Sequence, residues 1–118
     1  MNRAYYGENP PLIKAITGGH EDVVKYLTEH GADVSLQIGR TTPLIRASGR
    51  GNENIVKYLI EHGADINLQR RKDRITALYA AAVTGHLNIV QYLIKHGADI
   101  NRYSPLINII LERHEDII

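Results

Sequence analysis

The fold is decided by the stretch YLIEHGAD at Tyr58–Asp65, because related copies of it stand at 26–33 and 92–99. A leucine-containing tripeptide precedes each copy, and its leucine always lies 19 residues before the glycine of that copy, as from residue 44 to residue 63. Only the connector that leads to the next tripeptide varies in length. A constant block joined by variable connectors indicates a small structural unit that repeats along the chain.

Each block predicts two short helices. In the middle block, Thr42 is expected to cap the first helix with its hydroxyl, Pro43 to occupy the first turn and Gly51 to end the helix. The second helix of every block carries apolar residues on one face at helical spacing. These residues are Val23, Val24 and Leu27, then Ile55, Val56, Leu59 and Ile60, and finally Ile89, Val90, Leu93 and Ile94.

Helices of about ten residues are marginal in isolation, so the blocks are expected to stack on one another. The chain of 118 residues has room for a single domain, and we expect an all-α repeat solenoid. Small side chains keep the first helices thin enough for close stacking, at Ala15, Ala47, Ala81 and Ala82. The approximate repeats are residues 8–39, 40–73 and 74–103, with a partial repeat at 104–118.

Further motifs recur with the block. They are Thr42-Pro43-Leu44, Gly-His at 19–20 and 85–86, and Gly-Ala-Asp-Ile-Asn at 63–67 and 97–101. With these motifs the chain resembles the ankyrin repeat from about residue 8 to its last residue. The resemblance implies stacked antiparallel helix pairs with short β-hairpin or turn fingers. It also implies a concave face, formed by the fingers and the first helices, that binds partner proteins.

The connectors are less regular than the blocks. The strings at 33–37 and 65–69 alternate in polarity and predict extended arms. After Gly97 the connector is short, which predicts a tight turn instead of a full hairpin. The fourth copy begins at Ser104 and carries several isoleucines on its terminal layer, which suits either a longer array or a contact between copies.

The recurring polar residues are interpreted as structural. One histidine of each block precedes a helix-ending glycine, where its ring can bond the last carbonyl groups of the helix, and these histidines are His30, His62 and His96. Asp33, Asp65 and Asp99 are expected to stabilise turns through their side chains. The chain lacks cysteine, a Gly-rich phosphate loop and a nucleophile motif, so we expect no catalytic residue, no metal site and no cofactor.

The net charge of +1 conceals an uneven distribution. Residues 37–52 contain three arginines and no acid, whereas acidic residues gather on the second helices. Arginine suits bidentate pairing with carboxylate or phosphate groups. We therefore expect a basic centre on the concave face that binds another protein. The candidate binding residues are Lys14, Arg40, Arg46, Arg50, Arg71, Lys72, Arg74 and Thr84.

Two functions are left open by the sequence. The favoured one is a non-enzymatic module that binds an acidic or phosphorylated segment of a partner protein. The alternative is a structural spacer of a longer array, or a unit that self-associates through its apolar ends. Nucleic acid is a weaker partner, because aromatic residues are not interleaved with the bases.

The sequence also bears on the cellular location of the protein and on one modification of its asparagines. The sequence has no apolar run of transmembrane length and no signal-peptide core, so we expect no membrane insertion. An intracellular, cytoplasmic location is expected, or the cytoplasm or nucleus of a host if the source is a virus or an effector-secreting bacterium. Asn67 and Asn101 resemble the asparaginyl-hydroxylation context of ankyrin repeats, although a turn-capping role for asparagine is favoured.

Overall fold

The computed structural model describes residues 11–35, 41–70 and 74–100. Within these ranges the chain forms three helix pairs, each made of a first helix and a second helix joined by a short turn. The first helices are α1 (Pro11–Gly18), α3 (Pro43–Arg50) and α5 (Ala77–Val83). The second helices are α2 (Glu21–Glu29), α4 (Glu53–Glu61) and α6 (Leu87–Lys95).

The ends of α3 follow directly from local chemistry. Thr42 has an extended backbone, and its Oγ1 accepts the backbone N–H of Ile45 at 3.2 Å, with Pro43 as the first helical residue. A side-chain oxygen at this position satisfies one of the amide groups that the first turn leaves without a partner. Gly51 ends the helix in the left-handed region, with a φ of 80°. All three predicted roles are confirmed.

The pairs stack as layers. First helices pack against first helices, α1 and α5 on either side of α3, while α4 contacts both α2 and α6. Ala47 on α3 and Ala81 on α5 are fully buried, in agreement with the prediction that small side chains let the first helices pack closely. The largest fully buried side chains are aliphatic and come from all three layers: Leu12, Ile13, Ile16, Val24, Ile55, Val56, Leu59, Leu78, Ile89, Val90 and Leu93.

The segments at 33–37 and 65–69, which follow second helices, begin with turns. The prediction of extended arms is therefore wrong for the beginning of each segment. Asp65 accepts the backbone N–H of Asn67 on its Oδ1 at 3.0 Å, and its carbonyl accepts the N–H of Leu68 at 3.2 Å. Asp33 accepts the N–H of Ser35 in the same way at 2.9 Å. An aspartate that binds the amide two residues ahead closes a turn, which overrides the alternating pattern. The predicted turn-stabilising role of both aspartates is confirmed.

These turns also link one layer to the next. The N–H of Asp65 donates to Ser35 Oγ at 3.4 Å. One layer further on, the N–H of Asp99 donates to Asn67 Oδ1 at 2.8 Å, and Asn67 Nδ2 donates to the carbonyl of Gly97 at 3.2 Å. Asn67 therefore caps the turn of the following layer with both ends of its amide. The favoured turn-capping role of Asn67 is thereby confirmed, hydroxylation of this residue stays a hypothesis, and Asn101 lies outside the described residues.

The first layer departs from the predicted apolar stripe. Val23 was expected to be buried, as Ile55 and Ile89 are at the matching positions of α4 and α6, but its side chain is 46% exposed. Tyr26 on the same helix is 60% exposed, whereas Tyr58 and Tyr92 are half-buried. Within the described ranges no layer precedes α2, so no helix of a preceding layer covers these two positions.

Two predicted features of the fold are not covered by the described residues. The tight turn predicted after Gly97 and the partial fourth repeat fall among residues 101–118, outside the described part of the chain. Residues 71–73 of the connector also lie outside it.

Candidate partner-binding surface

Helix α3 has a buried face and an open face. Leu44, Ala47 and Ser48 are buried against the neighbouring helices. Arg46 is half-buried and Arg50 is exposed, and the two are four residues apart on the helix. Residues at this spacing lie one above the other on the helix surface, so the two guanidinium groups share one side of the molecule.

The open face of α3 borders a cleft of about 180 Å³ between the second and third layers. Arg46, Gly49 and Arg50 line one wall, Ala80 of α5 lies opposite, and Arg70 of the connector closes an end. A Cβ placed on Gly49 would lie 3.8 Å from the Cβ of Ala80, which shows how closely the two walls approach.

The connector after Asp65 folds back on itself. The N–H of Arg70 donates to the carbonyl of Ile75 at 2.8 Å, and the N–H of Arg74 donates to the carbonyl of Arg70 at 2.8 Å. Arg74 has a φ of 63°, a left-handed conformation that costs a non-glycine residue about 1–2 kcal/mol. The hydrogen-bonded connector thereby brings the backbone of Arg70 beside the first helices.

The first helices, α1, α3 and α5, carry no acidic residue. Within the described residues, the side chains of Arg46 and Arg50 have neither an ion pair nor a hydrogen bond. The helical acids of the first two described layers all lie on the second helices, at Glu21, Asp22, Glu29, Glu53 and Glu61, and Asp33 and Asp65 lie in the turns that follow.

The family model described as "Ankyrin repeats (3 copies)" matches the chain over residues 2–70, 36–104 and 68–118. The chain belongs to the ankyrin-repeat family. The resemblance and the predicted all-α repeat stack are thereby confirmed. Ankyrin repeats are generally protein–protein interaction modules and are typically not enzymes. No curated protein matches the chain.

The ankyrin helices bring only some of the predicted site residues to the cleft. Arg46 and Arg50 line the cleft together. Lys14 is exposed on α1 at the position that corresponds to Arg46, and Arg74 is exposed on the connector, but neither lines the cleft. Thr84 corresponds to Arg50 and is also exposed, although its hydroxyl donates to the carbonyl of Ala80 at 2.6 Å. Three candidates lie outside the described residues: Arg40, Arg71 and Lys72.

Arg70 lines the cleft, yet the sequence interpretation left it out of the candidate residues. Arg70 is the first base of the run at 70–74, and membership of that run is the only sequence feature that points to Arg70 as a binding residue. Nothing in the sequence indicates which base of the run turns toward α3. Arg74, whose N–H donates to the carbonyl of Arg70, has a left-handed backbone, and arginine is not a residue type that marks this conformation.

The second helices carry a different repeated arrangement. His62 Nδ1 lies 2.8 Å from the carbonyl oxygen of Tyr58, and the two rings stack with centroids 4.0 Å apart. The pairs Tyr26–His30 and Tyr92–His96 have the same geometry. These contacts confirm the predicted bond between each histidine and the end of its helix.

A larger cleft of about 410 Å³ lies at the start of α4 and α6. Its only described acid is Glu53, whose Oε2 pairs with Lys57 Nζ at 3.6 Å. Its histidine, His86, packs its ring over Gly51. The described residues contain no group of three or more His, Cys, Asp or Glu side chains placed to hold a metal ion. In the described ranges, no helix has the length and apolar character needed to cross a membrane.

Proposed function

We propose that this ankyrin-repeat chain binds an acidic or phosphorylated segment of another protein through its concave finger and first-helix surface. One observation carries the proposal: Arg46 and Arg50 line one cleft on the open face of α3 and have no partner within the described residues. Two guanidinium groups on one side of a helix provide parallel N–H donors for a carboxylate or a phosphate.

The charge pattern supports an anionic partner over a neutral one. Helices α1 and α3 carry bases without acids, and α5 carries neither, so no acid of the first helices offsets the charge of Arg46 and Arg50. Acids on the opposite helices keep the net charge near neutral, which limits attraction of arbitrary polyanions. Nucleic acid is disfavoured, because the tyrosines of α2, α4 and α6 stack on their own histidines and offer no platform for bases beside the cleft.

Replacing both cleft arginines by glutamate tests this proposal. We expect the Arg46→Glu/Arg50→Glu variant to bind an acidic probe at least about tenfold more weakly, since each charged hydrogen bond contributes about 1.5–3 kcal/mol. The probes are a fluorescein-labelled peptide with one phosphoserine among glutamates and the same peptide with unmodified serine. Fluorescence anisotropy measures the dissociation constants, and thermal unfolding checks that the variant is folded.

The matched control is Lys25→Glu/Lys95→Glu. Both lysines are exposed on second helices, and each pair of substitutions changes the net charge by −4, since every replacement of a base by an acid changes it by −2. Lys95 stands in the last turn of α6, as Arg50 does in α3, so the effect of the helix dipole is also matched. Equal weakening by the two double variants would show a general effect of charge, and the proposal would be rejected.

Self-association is the second candidate, and the exposed first layer favours it. Val23 and Tyr26 present an exposed surface on α2, whereas the matching isoleucines of the later layers are buried and the matching tyrosines are half-buried. If this surface binds a second copy, multi-angle light scattering will show a dimer whose fraction rises with concentration, and Val23→Asp will shift the chain to the monomer. A monomer at all concentrations would exclude this candidate and leave the binding proposal untouched.

A further inference from the structure

Glycine at position 49 has no explanation in the fold. The residue lies inside α3, where glycine lowers helix stability relative to alanine. Its φ is not in the left-handed region, and an added Cβ would meet only the Cβ of Ala80, at an ordinary contact distance of 3.8 Å. The matching positions of α1 and α5 carry Thr17 and Val83, so the fold accepts larger side chains there.

The effect of this glycine is on the cleft. Gly49 stands between Arg46 and Arg50 in sequence and forms part of the same wall. Without a side chain at 49, the space between the two arginines stays open as far as Ala80. A methyl or isobutyl group at this position would point into that space.

An exposed apolar side chain follows Ala80 on α5. Val83 follows Ala80 by three residues on α5, so both lie on one face of that helix. The side chain of Val83 is 49% exposed, one of the few large apolar side chains of the described ranges that is so open. Ala80 is the residue of α5 that lines the cleft, and the exposed side chain of Val83 lies about one turn beyond it on the same helix.

We infer that Gly49 is a specificity-determining residue, which opens the cleft to a partner segment bearing a carboxylate or phosphate group beside an apolar side chain. The inference rests on the proposed function. It adds that the partner segment has an apolar side chain beside its anionic group, and that Gly49 leaves the space in which this side chain fits. The anion pairs with Arg46 and Arg50, and the apolar side chain lies over Ala80 and Val83.

The geometry sets the spacing in the partner. Packed helix axes lie about 8–10 Å apart, and an extended chain advances about 3.3 Å per residue. An anionic residue over α3 and an apolar residue over α5 are thus about three positions apart in an extended segment. The probe is an eight-residue glycine–serine peptide that carries one glutamate and, three positions later, one leucine. A second version has phosphoserine in place of glutamate.

Three variants separate the effect of the open cleft from that of stability. Gly49→Ala and Gly49→Leu fill the cleft in steps. Ser48→Ala is the control, because Ser48 is fully buried next to Gly49 and its hydroxyl has no hydrogen-bond partner within the described residues. We expect both Gly49→Ala and Ser48→Ala to raise the melting temperature by about 2–5 °C, the first through helix propensity and the second by removing an unsatisfied hydroxyl.

Binding is measured by titrating labelled protein with the probes and following its amide and methyl signals by NMR, which detects weak complexes. Gly49→Ala is expected to weaken binding of the glutamate–leucine probe about threefold and Gly49→Leu about tenfold or more, while Ser48→Ala leaves it unchanged. On the unaltered protein, replacing the leucine of the probe by serine is expected to weaken binding about threefold to tenfold. The phosphoserine version shows which anion the arginines prefer.

A failure of the inference about Gly49 can be distinguished from a failure of the proposed function. If Gly49→Leu and the serine-for-leucine probe bind as well as the originals, the inference about Gly49 is wrong, even when Arg46→Glu/Arg50→Glu abolishes binding. If that arginine variant binds the probes normally, the proposed function itself is wrong. A rise in stability without loss of binding for Gly49→Ala and Gly49→Leu would also overturn the inference.

Discussion

Leu59→Ala is expected to lower the free energy of unfolding by about 3–5 kcal/mol, in the upper part of the range for leucine truncation in a packed core. Leu59 is fully buried in α4, the second helix of the middle described layer, which is packed against both of its neighbours. The surrounding helices cannot collapse into the space without shifting two interfaces. Since domains of this size are stable by about 5–15 kcal/mol in total, the loss is a large fraction of the whole.

Leu27→Ala is the matched control, because Leu27 occupies the same position of α2 but is only half-buried. We expect it to cost about 1–2 kcal/mol, in proportion to the smaller apolar area that it removes from the core. Urea unfolding followed by far-ultraviolet circular dichroism gives both values. Equal losses would contradict the view that the middle layer supports its neighbours on both sides.

The second large effect is expected at Gly51, where a side chain meets both a backbone penalty and a neighbour. Gly51 and Gly85 both have a φ of 80°, so alanine at either position costs about 1–2 kcal/mol from the left-handed backbone alone. A Cβ on Gly51 would also lie 2.5 Å from Cε1 of the His86 ring, whereas a Cβ on Gly85 would meet nothing within 4 Å. We expect Gly51→Ala to be less stable than Gly85→Ala by a further 1–2 kcal/mol, roughly the cost of overpacking.

A double variant identifies the source of the difference. His86→Ala removes the ring that the new Cβ would strike, so Gly51→Ala in that background is expected to cost no more than Gly85→Ala does in the same background. Calorimetry or urea unfolding of the set measures the coupling between positions 51 and 86. If the coupling is zero, the ring of His86 moves aside at no cost, and its packing over Gly51 does not contribute to the stack.

Much of the fold could be predicted, because its signals are local. Thr42 and Pro43 start α3 and Gly51 ends it through backbone hydrogen bonding and conformation, which depend on a few neighbouring residues. Because the spacing from leucine to glycine is the same in all three blocks, the two helices predicted for the middle block are also predicted for the other two. The turn role of Asp65 followed for the same reason, since its carboxylate binds an amide only two residues away.

The features that sequence missed depend on distant parts of the chain. Val23 has the same local pattern as Ile55, and only the presence or absence of a preceding layer decides whether it is buried. Arg70 lines a cleft formed mainly by α3, and its backbone is hydrogen-bonded to Arg74 and Ile75 further along the connector. The open space at Gly49 became meaningful only when Ala80 of the next helix was seen opposite it.

Helix α3 keeps its contribution to stability and its contribution to recognition on separate faces. Leu44, Ala47 and Ser48 hold it in the stack, while Arg46, Gly49 and Arg50 take no part in the apolar core. Substitutions on the open face can accumulate in evolution without unfolding the protein, so a lineage can exchange one binding partner for another in a few steps. Selection for stability alone would favour alanine at position 49 and would narrow that freedom.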